Sequence, residues 1–185
     1  MNFKVMQKIL LFLAELNNDD LNWIIQKGRK ETLDPGKVLI QEGISIDALY
    51  IVLSGSLRVG LESLGDQELA IISSGEIVGE ISFLDACPTL ATVKALESST
   101  ILSVSRLHLN SKLQQDTEFA SRFYHALSKS LAARLRGTVR RLSSGKNLED
   151  PALEQNREDL SPSEQDRLQL SEIKFNWLKE SAKLG

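Results

Sequence analysis

The 185 residues contain one cysteine, Cys87, two histidines, four prolines and only 5% aromatics. A single cysteine forbids an internal disulfide, cannot ligate an iron-sulfur cluster and gives a thiolate metal site no second ligand. His108 and His125 are far apart in sequence, and neither has a Cys, Asp or Glu at metal-ligand spacing. Nothing therefore points to a metal centre, and no Ser/His/Asp or Cys/His arrangement marks a catalytic residue. No apolar run approaches the roughly 18 residues of a membrane span, and the apolar stretch near Met1 lacks the small-residue cleavage pattern of a secretory signal. The expected location is the cytoplasm. A net charge of −3 excludes a chain that coats nucleic acid with its whole surface.

What the sequence does have is an ordinary globular composition, 42% hydrophobic and 25% charged, in a chain long enough for one self-sufficient core with an appendage. The charge is unevenly spread. Lys129, Arg134, Arg136, Arg140, Arg141 and Lys146 lie together without an acid, and read as a solvated helix face that the acidic stretch beyond Asn147 complements or, alternatively, as a nucleic-acid patch.

Residues 1–30 read as two short helices, Lys4 to Leu16 and a second capped by Asn17 or Asn18 with Asp19 and Asp20 in its first turn. From 31 to 106 the texture changes to short β-branched runs separated by glycine turns. Strands are expected at Val38 to Gln41, Ala48 to Leu53, Ser56 to Leu61, Glu68 to Ile72, Leu90 to Ala95 and Thr100 to Val104. Short, evenly spaced strands without βα alternation predict a mainly β domain, a sandwich or barrel flanked by helices. Residues 107–142 return to helix. The longest, about Thr117 to Leu142, carries Phe119, Phe123, Leu127, Leu131 and Leu135 at helical spacing, a seam for a second copy of the chain or, alternatively, a stripe folded back on the β domain. Residues 143–185 read as a polar, flexible linker followed by a tail helix from Ser163 to Lys183, whose Leu168, Ile173, Trp177 and Leu178 form a modest apolar patch.

Gly79 to Ala95 reads as a stretch built to hold something or, alternatively, as a plain turn between strands. A strand entering Gly79-Glu80, a short helix, a break at Cys87-Pro88 and a second strand make a concave corner. Backbone N–H groups there can face an anion, with Glu80 beside them to accept from a hydroxyl.

The pattern Leu33-Asp-Pro-Gly36 through Gln41-Glu-Gly43, then Tyr50-Ile-Val-Leu-Ser-Gly55, then Gly79-Glu80 with Ala91-Thr92-Val93-Lys94-Ala95 resembles the cyclic nucleotide-binding domain. This β-roll is shared by catabolite-activator-type regulators, kinase regulatory subunits and gated channels. The resemblance covers about residues 10 to 142. It implies a phosphate-binding cassette with Glu80 at the ribose position and Gly79, Ile81, Ser82, Thr89 and Leu90 around the ligand. Thr89, however, stands where binding members carry an arginine for the cyclic phosphate, and Leu90 removes polarity beside it. A threonine offers one neutral donor in place of a bidentate charged grip. Losing one partner of a buried charge pair costs about 2 to 5 kcal/mol. Cyclic AMP or cyclic GMP is therefore expected to bind weakly or not to bind, and Thr89→Arg to strengthen it. The family's transcription factors continue into a winged helix-turn-helix, whose paired helices and tight glycine turn are missing after Leu142. The resulting expectation is a non-enzymatic, homodimeric regulatory or adaptor protein with no DNA-binding domain, signalling to a protein partner through its long helix or tail. The alternative is a true sensor of a cyclic nucleotide or another small anion, held by Glu80 and backbone amides without the arginine.

Overall fold

The computed structural model describes residues 12–65, 67–144 and 161–182. Residues 12 and 13 are helical, and Phe12, Leu13 and Leu16 are fully buried. The first complete helix, α1 (Asn18–Lys27), starts at Asn17, whose side-chain oxygen accepts from the Asp20 N–H while Asp20 accepts from the Asn17 N–H, each at 2.9 Å. This reciprocal cap satisfies two N–H groups that the helix leaves without partners.

The strands are β1 (Gly28–Leu33), β2 (Val38–Ile40), β3 (Ala48–Ser54), β4 (Ser56–Leu61), β5 (Gln67–Ser73), β6 (Ile77–Val78), β7 (Thr92–Ala95) and β8 (Ser99–Ser105). They form two four-stranded sheets, ordered β1-β8-β3-β6 and β2-β7-β4-β5, in which every pairing is antiparallel. The mainly β, helix-flanked roll is the one expected. Two strands lie outside the expected set. β1 is at a sheet edge and buries only Leu33 of its six residues, so its sequence Gly-Arg-Lys-Glu-Thr-Leu carries no hydrophobic alternation. β6 is two residues long, too short for any period. Leu90, placed in a strand by the sequence, precedes β7 and is 67% exposed.

The first sheet is covered on both faces, which explains why β3 reads as an uninterrupted apolar run. One face presents Leu33, Val52, Val78 and Ile101 to Ile40, Leu57, Ile72, Val93 and Ala95 of the second sheet. The other presents Leu49, Ile51, Leu53, Ile77, Leu102 and Val104 to the helices. Those helices are α2 (Glu80–Asp85), α3 (Arg106–Gln115), the 28-residue α4 (Thr117–Ser144) and α5 (Pro162–Ser181), besides α1.

α4 divides its residues between two surfaces. Phe119, Phe123, Ala126 and Leu127 are buried in the chain's own core, where Phe119 stacks on Phe123 with ring centroids 5.4 Å apart. Of the five positions expected to meet a second copy, the first three are therefore used internally. Leu131 is half-buried and Leu135 is exposed. α5 lies on the same helical layer, with Leu168, Phe175 and Leu178 buried, the last two in the shared core, and Ile173 outward. The expected linker falls mainly on 145–160 and the first expected helix mainly on 1–11, outside the described residues.

Candidate functional site

The site begins where β6 ends. Gly79 adopts φ +92°, and a Cβ there would meet Ile46 Cδ1 at 2.7 Å and the Ala48 carbonyl at 3.3 Å. The conformation and the close approach both demand glycine. The chain then turns into α2, whose first residue, Glu80, is only 2% exposed. Its carboxylate accepts a hydrogen bond from Arg134 of α4, and the other terminal nitrogen of that guanidinium donates to the Ile77 carbonyl at 2.7 Å. One arginine thus spans the Gly79 turn, bonding to the chain on both sides of it. This is a charge-assisted pair taken largely out of water.

A second arginine holds the other end. Arg106, at the start of α3, donates to the carbonyls of Ser82 and Phe83 at 3.0 and 3.1 Å, and its guanidinium lies 5.6 Å from the Phe83 ring centroid. Those carbonyls belong to the last turn of α2, where intrahelical donors run out. Phe83 also meets Phe123 edge-on at 6.0 Å. The cassette helix is therefore fixed to α4 twice, through Glu80 and through Phe83.

Thr89 lies elsewhere. Its hydroxyl is directed at the carbonyls of Gln41 and of Ile44, the latter at 3.0 Å. Its backbone reinforces the connection, with Thr89 N donating to Ile44 O at 3.2 Å and Gly43 N donating to Thr89 O at 2.8 Å. Thr92 extends it by accepting from the Glu42 N–H at 3.0 Å. Thr89 is thus a stitch between the chain before β7 and the loop after β2. Gly79, Glu80 and the buried Ser82 stay together, Ile81 faces outward, and Leu90 is the most exposed of the expected set.

Motif and spacing do not single out Arg134 or Arg106. Arg134 carries a signal nonetheless: Phe123, Leu127, Ser130 and Arg134 recur at helical spacing, so the arginine falls in the buried phase of α4.

The rest of α4 is anchored by a polar joint. Arg122 donates two hydrogen bonds to the buried Asp20, of 2.7 and 2.9 Å, and these bonds raise the arginine's pKa further. Glu15 accepts from Lys129 at 2.5 Å and Arg167 at 3.0 Å and pairs with His125 at 3.0 Å. Burial pushes the Glu15 carboxyl up, but the Lys129 bond and charge, with His125 and Arg167, outweigh it and leave the group below its ordinary range. Lys174 of α5, buried, donates to the Leu16 carbonyl at 2.6 Å, and burial lowers its pKa.

The family model for the cyclic nucleotide-binding domain matches residues 30–116, a span that contains both sheets except the first residues of β1, together with the cassette and α3. Residues 30–116 are a cyclic nucleotide-binding domain. The catabolite activator protein of Thermus thermophilus has a solved structure that is 29% identical, with a TM-score of 0.57 over 69% of this chain and 59% of that one. A cyclic nucleotide-binding domain from Methylobacillus flagellatus shares the fold at 22% identity, with a TM-score of 0.67 over 80% of this chain and 87% of that one. Among characterised sequences, lysophospholipase nte1 of Aspergillus fumigatus is 32% identical over 120 residues, 63% of this chain; the chain spans 8% of that protein. Among the described residues, no cluster of three His, Cys, Asp or Glu could hold a metal, and no helix is long and apolar enough to cross a membrane.

Proposed function

We propose that the chain is a non-enzymatic regulatory or adaptor protein of the cytoplasm, homodimeric, whose cyclic nucleotide-binding domain has weak or lost affinity for cyclic AMP and signals through protein contacts. The observation that carries this reading is the occupation of both expected ligand positions by the chain itself. The Glu80 carboxylate is bonded to Arg134, and the Thr89 hydroxyl is turned to loop carbonyls. A ribose that needs Glu80 must first displace a buried ion pair, and breaking such a pair costs about 3 to 5 kcal/mol. A Thr89→Arg change alone would lose the stitch to Gln41 and Ile44 without freeing Glu80, so restoring binding calls for release of Arg134 as well. The lysophospholipase relative lends no enzymatic reading, since the shared stretch is a small fraction of that protein.

Isothermal titration of the full chain with cyclic AMP and cyclic GMP tests the proposal. The expected result is no saturable binding in the micromolar range for wild type. Submicromolar binding would overturn it in favour of the sensor reading, in which Glu80 and the amides of Gly79, Ile81 and Ser82 hold the ligand.

A further inference from the structure

α5 is fastened along its length to the segment between residues 12 and 30. Near its start Arg167 donates to the Glu15 carboxylate at 3.0 Å, and further on the buried Lys174 donates to the Leu16 carbonyl at 2.6 Å. Near its end the Lys179 carbonyl accepts from Lys30 at 2.9 Å. Between these polar ties Phe175 and Leu178, both fully buried, enter the core that holds Phe12, Leu13 and Leu16.

The same segment supports α4. One oxygen of Glu15, Oε1, accepts from Arg167 of α5 and from Lys129 of α4, so the tail helix and the long helix are tied to a single point. Asp20 holds Arg122, and the Phe12 ring meets Phe123 edge-on at 6.0 Å. Phe123 in turn meets Phe83 of α2, and Arg134 of the same helix bonds to Glu80. Contacts therefore run from α5 through the segment before and within α1, along α4, to the Gly79 corner.

The element that can move on this path is α4. Arg134 is bonded on both sides of the Gly79 turn and Ala133 beside it is buried, so freeing Glu80 calls for lifting this part of the helix. Arg134 lies roughly 16 Å along the helix from Phe123, at 1.5 Å per residue. A continuous helix that lifts at Arg134 also tilts where it rests on Phe12 and Glu15, and that is where α5 is fastened.

We propose that α5 is an autoinhibitory strap: docked on residues 12–30, it holds α4 in the pose that keeps Arg134 on Glu80, and its detachment uncovers the Glu80 carboxylate to a hydroxylated ligand. This rests on the reading above in which Arg134 occupies Glu80, and adds what controls that occupation. Docking of α5 and binding at Glu80 then oppose each other, and by linkage each weakens the other by the same factor.

The test labels carboxylates of the full-length chain with a carbodiimide and glycine ethyl ester, and compares Glu80 with the exposed Glu118 by mass spectrometry. Hydrogen exchange over residues 162–181 reports whether α5 is docked, and circular dichroism melts show that each variant is folded. In wild type, Glu80 should be labelled far more slowly than Glu118. Arg167→Glu, at a side chain that is 55% exposed, sets a carboxylate against Glu15, and Leu178→Ala removes packing beneath α5. Each should speed both α5 exchange and Glu80 labelling by about fivefold or more, the low end of a usual coupling between sites. Arg134→Ala should speed α5 exchange in return. Gly36→Ala, which strains the turn between β1 and β2 instead, should leave Glu80 labelling at the wild-type rate. If α5 exchange quickens without Glu80 labelling, or quickens in none of the three variants aimed at the path, the strap falls while the reading of Glu80 stands. Unchanged α5 exchange in Arg134→Ala, or equal labelling of Glu80 in Gly36→Ala, likewise overturns the strap alone. Wild-type Glu80 labelled as fast as Glu118 removes that reading and the strap together.

Discussion

Arg134 makes the tightest link between the long helix and the cassette, and its removal leaves Glu80 without a charge partner. Arg134→Ala strands a carboxylate that is 2% exposed, and breaking a buried pair from one side costs about 3 to 5 kcal/mol. The Arg134 side chain keeps 24% exposure, so the loss should fall toward the lower end, as a reduced urea midpoint at unchanged slope. The double variant Glu80→Gln, Arg134→Met should recover most of it, because neither side is then a charge without a partner. A single variant that unfolds with wild type would show that the pair does not hold the cassette. In the sequence Arg134 looks like one more member of a basic run, and the run as a whole reads as a solvated face. Its phase with Phe123 and Leu127 separates it from its neighbours, but phase alone does not reveal which acid is waiting across the fold. Glu80 and Arg134 are 54 residues apart.

At the scale of elements, the cassette turn depends on one glycine more than on the helix it introduces. α2 has six residues and no side-chain N-cap bond, so its position comes from the turn before it and from the two arginines that hold its ends. Gly79→Ala and Gly36→Ala both force a left-handed residue with a Cβ, a penalty of roughly 1 to 2 kcal/mol. Only Gly79 adds a clash, with Ile46 Cδ1 at 2.7 Å; a Cβ at Gly36 meets nothing within 4 Å. Thermal unfolding should therefore show the larger drop for Gly79→Ala, and an equal or smaller drop would mean that Ile46 yields freely. The strands with buried alternating or continuous apolar runs, β3 and β8, are legible from composition because burial itself writes their pattern. β1 is not, since an edge strand pairs through its backbone and leaves its side chains free to be charged. The stripe of α4 is legible as apolar, but its division into an inward and an outward half depends on where the β-roll ends beneath it.

Across the whole molecule, Glu15 is the point at which three distant segments meet: the stretch before α1, α4 through His125 and Lys129, and α5 through Arg167. Its carboxyl side chain is 13% exposed and its pKa is lowered on folding, burial opposing and the Lys129 bond leading the groups that prevail. An unfolded chain then binds more protons than the folded one as pH falls below the ordinary glutamate value of about 4.3. The stability Glu15 contributes is accordingly complete above that value and is lost as pH drops through the lower folded one. Glu15→Gln should be less stable than wild type at pH 7 by roughly 1 kcal/mol, the upper range for an ion pair with exposed partners. The gap should narrow as pH falls below the ordinary glutamate value and close as wild type, in turn, protonates its carboxylate. High salt at pH 7 should narrow it only in part, since His125 and Arg167 are open to solvent while the Glu15 carboxylate is mostly covered. Urea unfolding of both proteins between pH 7 and pH 3 decides the matter. A gap that stays constant through the acid range would show that Glu15 joins the three segments by packing and neutral hydrogen bonds rather than by its charge.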